Sequence, residues 1–123
     1  MSPQNDFPSV FEKLKSILKL YAKNLTVTAD TSSGYSLDGL YSETWKKVIF
    51  FGAAQIKKNY VSFYLMPVYM YQDLLKDISP ELKKHMQGKS CFNFKVVDQA
   101  LLRELAQLTR RGFDRMKQDG YIR

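Results

Sequence analysis

The side chains that most often perform catalysis are few in this chain, and their spacing does not suggest a reactive site. The sequence has one cysteine, Cys91, and one histidine, His85, so a nucleophilic thiolate would need His85 as its base. Asp73 and Asp77 stand four residues apart and could share a helix face. Paired carboxylates act as acid and base only in a cleft that shifts their pKa values, whereas a solvated helix surface needs no such cleft. We therefore expect a binding protein and not an enzyme.

A second set of residues has the chemistry of an anion-binding cleft. Basic residues lie at the ends of predicted strands, and two aromatic residues accompany them in the set: Trp45, Lys57, Lys58, Tyr64 and Lys89. Together they could border a cleft that accepts a small anionic ligand. Charged residues at strand ends also discourage edge-to-edge pairing of sheets, which explains the lysines equally well.

The net charge of +7 raises the possibility of a polyanionic partner. Arg110, Arg111 and Arg115 enrich the last predicted helix in positive charge, where they could contact phosphates or complement the helix dipole. Aromatic and basic residues do not alternate along this helix, in which Phe113 is the one aromatic residue, and the other basic residues are scattered along the chain. The pattern therefore favours nucleic acid less than a small ligand.

Composition predicts one cytoplasmic domain spanning residues 1–123. A single cysteine cannot form an internal disulfide, and the polar start of the chain, residues 1–6, lacks the basic and apolar regions of a signal peptide. The longest apolar run, residues 48–54, is far shorter than the roughly 20 residues that span a bilayer. We expect no membrane-spanning role, and folding that requires neither a metal nor a disulfide.

Hydrophobic periodicity predicts the elements that would position these residues. Ser9 and Glu12 fit a capping box, and a helix is expected over residues 10–23. Two alternating runs, 48–56 and 60–66, predict a central β-hairpin in which the even-numbered residues 48–56 share one face and the odd-numbered ones the other. Further strands are expected in the regions 25–29, 35–37 and 90–96. Short helices follow Pro67 and Ser79.

The closing element is a long leucine-rich helix that Asp98 caps and Gly120 ends. The order of helix, strands and helix predicts an α+β fold with two layers. We expect a mainly antiparallel sheet of about five strands, with the N- and C-terminal helices packed on one face.

Three segments, in this order, resemble the YdhG-like family of small domains of unknown function. They are residues 52–67 (GAAQIKKNYVSFYLMP), residues 88–95 (GKSCFNFK) and the leucine-rich helix that follows Asp98. The resemblance implies a compact two-layer α+β fold similar to that of frataxin. Some members of the family are described as frataxin-like intracellular iron chaperones, so the resemblance also implies iron handling. Where members often carry a Trp-Gly-x-Pro-type segment, residues 31–35 read TSSGY.

Iron binding of the frataxin type uses a crowded acidic first helix and first strand, because several hard carboxylate oxygens are needed. The acids that the resemblance implies here are Glu12, Asp30 and Asp38. The first predicted helix contains one acid, Glu12, and four lysines. The positive charge of these lysines would repel ferrous iron. Two hypotheses therefore stand: a frataxin-like iron handler, and a basic module that binds phosphate-bearing ligands or nucleic acid.

Overall fold

The computed structural model describes residues 6–123, which form six strands and four α-helices. Residues 1–5, most of the start on which the signal-peptide expectation rests, lie outside the described range. Two short 3-10 helices, Ala22–Asn24 and Gln72–Asp77, complete the regular structure of this range. In chain order the elements are α1 Phe7–Lys19, β1 Thr26–Asp30, β2 Gly34–Ser42, β3 Lys47–Ile56, β4 Val61–Leu65, α2 Met66–Met70, α3 Pro80–Lys83, β5 Met86–Gln87, β6 Cys91–Phe94 and α4 Gln99–Gln118.

The strands form one sheet in the order β1-β2-β3-β4-β6-β5, and every neighbouring pair is antiparallel. The predicted α+β class and antiparallel sheet are therefore confirmed. The expected count of about five strands is too low by one. The extra strand is β5, whose two residues pair with β6 at the sheet edge and are too short to show an alternating pattern.

A β-bulge changes which residues of β3 face the helices. Leu37 pairs with Gly52 but the next residue, Asp38, pairs with Phe50, so Phe51 is the extra residue on β3. Phe51 is fully buried, with its ring centre 6.1 Å from that of Tyr21. A Cβ atom on Gly52 would lie 3.0 Å from Leu18 of α1, so this neighbour faces the helices too. The expected strict alternation along residues 48–56 is therefore wrong.

Helix α1 packs on this face of the sheet through an apolar stripe. Its buried residues recur at spacings of three and four, as predicted: Val10, Phe11, Leu14, Ile17 and Leu18. The helix starts earlier than expected because Asp6, not Ser9, is the N-cap. The Asp6 carboxylate accepts hydrogen bonds from the Ser9 backbone N–H at 3.2 Å and from its hydroxyl at 2.8 Å. A carboxylate also complements the positive end of the helix dipole.

Helix α4 packs on the same side, as expected for both long helices. The Phe113 ring lies 5.9 Å from that of Phe51, edge to face. Gly112 allows α2 to approach, because a Cβ atom there would lie 2.6 Å from Pro67. The other face of the sheet carries polar side chains, among which the Ser62 hydroxyl donates to Asn93 at 2.7 Å. Within residues 6–123, no helix combines the length and apolar character needed to cross a membrane.

Candidate ligand-binding site

A cleft of about 700 Å³ opens where β3 extends beyond its neighbour β4. Strand β4 pairs only with the second half of β3, from Gly52 to Ile56. The first half of β3 therefore borders the cleft together with α2 and the chain end after α4. Five aromatic residues contribute to the lining: Trp45, Phe50, Tyr69, Tyr71 and Tyr121.

The turn between β2 and β3 holds Trp45 at the cleft. The Ser42 hydroxyl accepts a hydrogen bond from the Trp45 backbone N–H at 3.1 Å, and the Ser42 carbonyl accepts one from Lys46 N–H at 2.7 Å. Lys46 has φ +58°, the one non-glycine residue with positive φ in the described range. This conformation is unfavourable for a residue that has a Cβ atom. The surrounding turn must therefore enforce it. Trp45 is thus presented by a turn of defined shape.

The chain end after α4 forms another wall. Helix α4 ends at Gln118, and Gly120, two residues later, has φ +88°. The Tyr121 carbonyl then accepts a hydrogen bond from Leu40 N–H at 2.7 Å, and its hydroxyl accepts one from the Trp45 indole N–H at 3.1 Å. Gly39 is required at this crossing because a Cβ atom there would lie 2.5 Å from the Tyr121 carbonyl oxygen. The tail therefore fixes two aromatic residues of the cleft relative to each other.

A group of four residues satisfies its polar atoms internally, and we call it the closed cluster: Tyr71 and Asp119, which line the cleft, and Asp73 and Arg115, which do not. The Tyr71 hydroxyl donates to the Asp119 carboxylate at 2.6 Å, while the Arg115 guanidinium lies 4.4 Å from the Tyr71 ring centre and 2.9 Å from Asp73. Burial, followed by the hydrogen bond to Asp119, raises the pKa of Tyr71. The hydrogen bond from Arg115 lowers the pKa of Asp73.

A second group at the cleft keeps its charges and rings exposed, and we call it the open cluster: Trp45, Lys47, Tyr69 and Lys89. All four side chains are exposed. Three ion pairs form among residues 6–123, and neither lysine takes part in them. The open cluster therefore offers two cations and two aromatic faces to a ligand.

The structure divides the set of residues predicted to bind an anion. Trp45 and Lys89 line the cleft. Lys57 and Lys58 are exposed in the turn after β3, and the Lys57 ammonium lies 5.9 Å from the ring centre of Tyr64. None of these last three residues lines the cleft.

The acids implied for iron are spread over separate elements. Glu12 is exposed on α1, and Asp30 on β1 forms a 3.0 Å ion pair with Lys15, whose pKa is raised mainly by that hydrogen bond. Asp38 pairs with Thr26 at the opposite end of β1 from Asp30. Within the described range, no group of three or more His, Cys, Asp and Glu side chains is placed to hold a metal ion.

The residues considered for catalysis have other partners. The Cys91 thiol contacts the Asn93 side-chain oxygen at 3.4 Å, and burial raises its pKa, which disfavours the reactive thiolate. The His85 ring lies 2.8 Å from the Asn93 backbone oxygen and stacks on Phe94. Asp73 and Asp77 pair with different arginines of α4.

Two of the arginines predicted to contact nucleic acid are held within the protein. Arg111 donates to the Leu74 carbonyl at 3.1 Å and approaches Asp77 at 3.5 Å, and Arg115 belongs to the closed cluster. Arg110 is exposed and lines a second cleft of about 560 Å³, which Glu104 and Asp77 also line. This second cleft thus carries acids of its own.

The aromatic residues Tyr69, Tyr71 and Tyr121 were not found from sequence, because only the folded chain brings them to Trp45. Comparisons with family models, with curated proteins and with solved structures give no significant match. A function assigned to the cleft therefore rests on the residues of this chain.

Proposed function

We propose that this domain is a non-enzymatic binding protein, and that the cleft holds a small planar molecule bearing a phosphate or similar anionic group. The observation that carries this proposal is the open cluster, in which two exposed aromatic rings and two exposed lysines line one cleft. Aromatic faces stack on planar rings, and lysine ammonium groups bind phosphate as point charges. A volume of about 700 Å³ lies within the range of small-molecule sites.

Binding without turnover is the activity that suits these residues. Asp119 is the acid among the residues that line the cleft, and it accepts the hydrogen bond of Tyr71. The raised pKa of Tyr71 keeps its phenol protonated near neutral pH. The Tyr71 hydroxyl is therefore directed at Asp119 and not at a ligand, whereas a general base or acid must be within hydrogen-bond reach of the proton it transfers.

The test uses the fluorescence of Trp45, which is the single tryptophan of the sequence and therefore reports on the cleft alone. Adenosine 5′-monophosphate should change the Trp45 emission with saturation. Adenosine, which lacks the phosphate, and ribose 5-phosphate, which lacks the ring, should each bind more weakly. Unchanged emission with the monophosphate, or equal responses to all three compounds, would overturn the proposal.

A pair of lysine variants locates the anion. Lys89→Ala should weaken binding of the monophosphate by roughly three-fold to ten-fold, because an exposed charge contact is lost. Lys58→Ala is the matched control, since it removes an equal charge from the turn after β3, outside the cleft lining. Equal losses in the two variants would mean that the anion is attracted only by net charge.

We also propose that the chain is a cytoplasmic YdhG-like domain with the frataxin-like arrangement of that family. The support is the sequence resemblance in residues 52–67, 88–95 and the last helix, together with a sheet that lies between an N-terminal and a C-terminal helix in chain order. Frataxin-like iron handling follows from the resemblance alone. Native mass spectrometry with anaerobic ferrous iron tests it, and iron adducts should then be lost when Glu12, Asp30 and Asp38 are neutralised.

A further inference from the structure

The exposed aromatic surface extends past the cleft. Tyr41 of β2 pairs with Val48 of β3, so the two side chains stand next to each other on one face of the sheet. Val48 lines the cleft and is 47% exposed, and Tyr41 is 54% exposed. A small ligand that fills the cleft would leave the Tyr41 ring unused.

All the strongly exposed aromatic rings of the described range lie on this one surface. They are Tyr41, Trp45 and Tyr69, each with more than half of its surface exposed. The other large hydrophobic side chains with comparable exposure, Leu20, Val27, Val48 and Val96, are aliphatic. Trp45 and Tyr69 line the cleft, and Tyr41 pairs with Val48, which lines it too, so a ligand longer than the cleft has a further exposed ring beside it.

Lysines accompany the rings. Lys46 and Lys47 follow Trp45 directly, and Lys89 lines the same cleft as Trp45. Two acids stand against these three lysines: Glu43 in the same turn and Asp119, which is bonded to Tyr71. The surface is thus basic, in a chain whose net charge is +7.

We propose that the ligand of the cleft is a single-stranded nucleic acid, of which one base enters the cleft and the next stacks toward Tyr41. The proposal rests on the proposed function and names the ligand class of the same site. Successive aromatic rings beside lysines bind single strands without strong sequence preference, because every base has a face that stacks. A peptide of mixed sequence would lack the regularly repeated anions that the lysines match, and an acidic peptide such as poly-glutamate would lack the planar rings that stack.

The experiment compares a labelled six-nucleotide single strand with adenosine 5′-monophosphate, by anisotropy and by Trp45 emission. The strand should bind more tightly by roughly tenfold or more, because more than one base stacks. Tyr41→Ala should weaken strand binding by roughly five-fold or more, which is the lower end for one stacked base, and leave monophosphate binding unchanged. Tyr60→Ala is the matched control, since this tyrosine lies in the turn at the other end of β3 and should alter neither affinity.

Salt dependence and charge variants separate stacking from attraction by charge alone. If three lysines contact phosphates, a plot of the logarithm of the binding constant against the logarithm of salt concentration should have a slope of about −2. Lys47→Ala should reduce the magnitude of this slope by about 0.7. Glu43→Gln should tighten binding of the strand. A poly-glutamate peptide or a duplex of equal length should bind more weakly than the strand.

The outcomes distinguish failure of the inference from failure of the proposed function. If the monophosphate binds as tightly as the strand and Tyr41→Ala has no effect, the inference is overturned while the proposed small-ligand function stands. If poly-glutamate or the duplex binds as well as the strand, stacking is not the basis of recognition and the inference fails. If neither the strand nor the monophosphate changes Trp45 emission, the inference and the proposed function both fail.

Discussion

In the closed cluster the Tyr71 ring carries a stacked guanidinium, its hydroxyl is bonded to Asp119, and Arg115 is paired with Asp73. In the open cluster Trp45 and Tyr69 expose more than half of their surfaces, and two lysines remain outside the three ion pairs of the described range. Both clusters combine tyrosine or tryptophan with cations. They differ in whether the cation already has an anion of the protein beside it.

The origin of this difference lies in the elements that carry the residues. Arg115 projects from α4 toward the 3-10 helix Gln72–Asp77, which brings its own carboxylates within reach. Trp45 and Lys47 come from a turn and a strand end where Glu43 is the nearest acid in sequence. Positive charge in the sequence therefore does not by itself mark a binding surface. The cations to consider are those that the fold leaves without an internal partner.

Gly39→Ala should have the largest effect on stability and on Trp45 emission, because it disturbs the chain end that supports Trp45. The new Cβ atom would lie 2.5 Å from the Tyr121 carbonyl oxygen, so the tail must shift. We expect the free energy of unfolding to fall by about 1–3 kcal/mol, as for other overpacked sites, and Trp45 emission to move toward that of a fully solvated indole. Urea denaturation followed by fluorescence measures both.

Gly34→Ala serves as the matched control for this variant. A Cβ atom at Gly34 meets only the Thr31 hydroxyl oxygen at 3.6 Å, an ordinary contact distance. Equal stability and equal emission in the two variants would show that the tail does not position Trp45.

A smaller effect is expected from relieving the strained turn of the open cluster. Lys46 has φ +58°, a conformation that glycine adopts without a steric cost. Lys46→Gly should be more stable than Lys46→Ala by about 0.5–1 kcal/mol, and because both variants remove the same charge the comparison isolates the backbone. If Lys46→Ala were the more stable of the two in thermal or urea unfolding, the turn would not be strained as described.

The smallest effect concerns the closed cluster and depends on pH. Arg115 lowers the pKa of Asp73 in the folded protein below its value in the unfolded chain. The contribution of this pair to stability is therefore present above the unfolded-state pKa, about 4, and is lost as the pH falls through the depressed one. Wild type should melt slightly higher than Arg115→Gln at pH 7, and the two melting temperatures should converge in acid. A constant difference from pH 7 to pH 2 would contradict the pairing.

Local patterns in the sequence predicted most of the elements, because hydrophobic periodicity reflects which face of a helix or strand is buried. The stripe of α1, the central hairpin and the cap at Asp98 are examples. Features that depend on partners distant in sequence were missed or misplaced. The bulge at Phe51 arises from pairing with β2, and β5 exists only because β6 lies beside it.

The site was predictable only in part for the same reason. Trp45 and Lys89 could be singled out by residue type beside predicted strand ends. Tyr121 lies 76 residues after Trp45 and joins it through one hydrogen bond, which no spacing rule indicates. The pairing of Arg111 and Arg115 with acids is likewise a tertiary contact. The sequence alone therefore left two roles open for these arginines, contact with phosphates or complementing the helix dipole.

The most direct test of the central claim is a ¹H–¹⁵N correlation spectrum recorded while adenosine 5′-monophosphate is added to the protein. The indole N–H of Trp45 and the backbone N–H groups of Lys47, Tyr69 and Lys89 should shift with one common saturation curve, while the signals of Asp73 and Arg115 should move little. Shifts that centre on the closed cluster or on Arg110, with the Trp45 indole unaffected, would contradict the assignment of the cleft as the binding site.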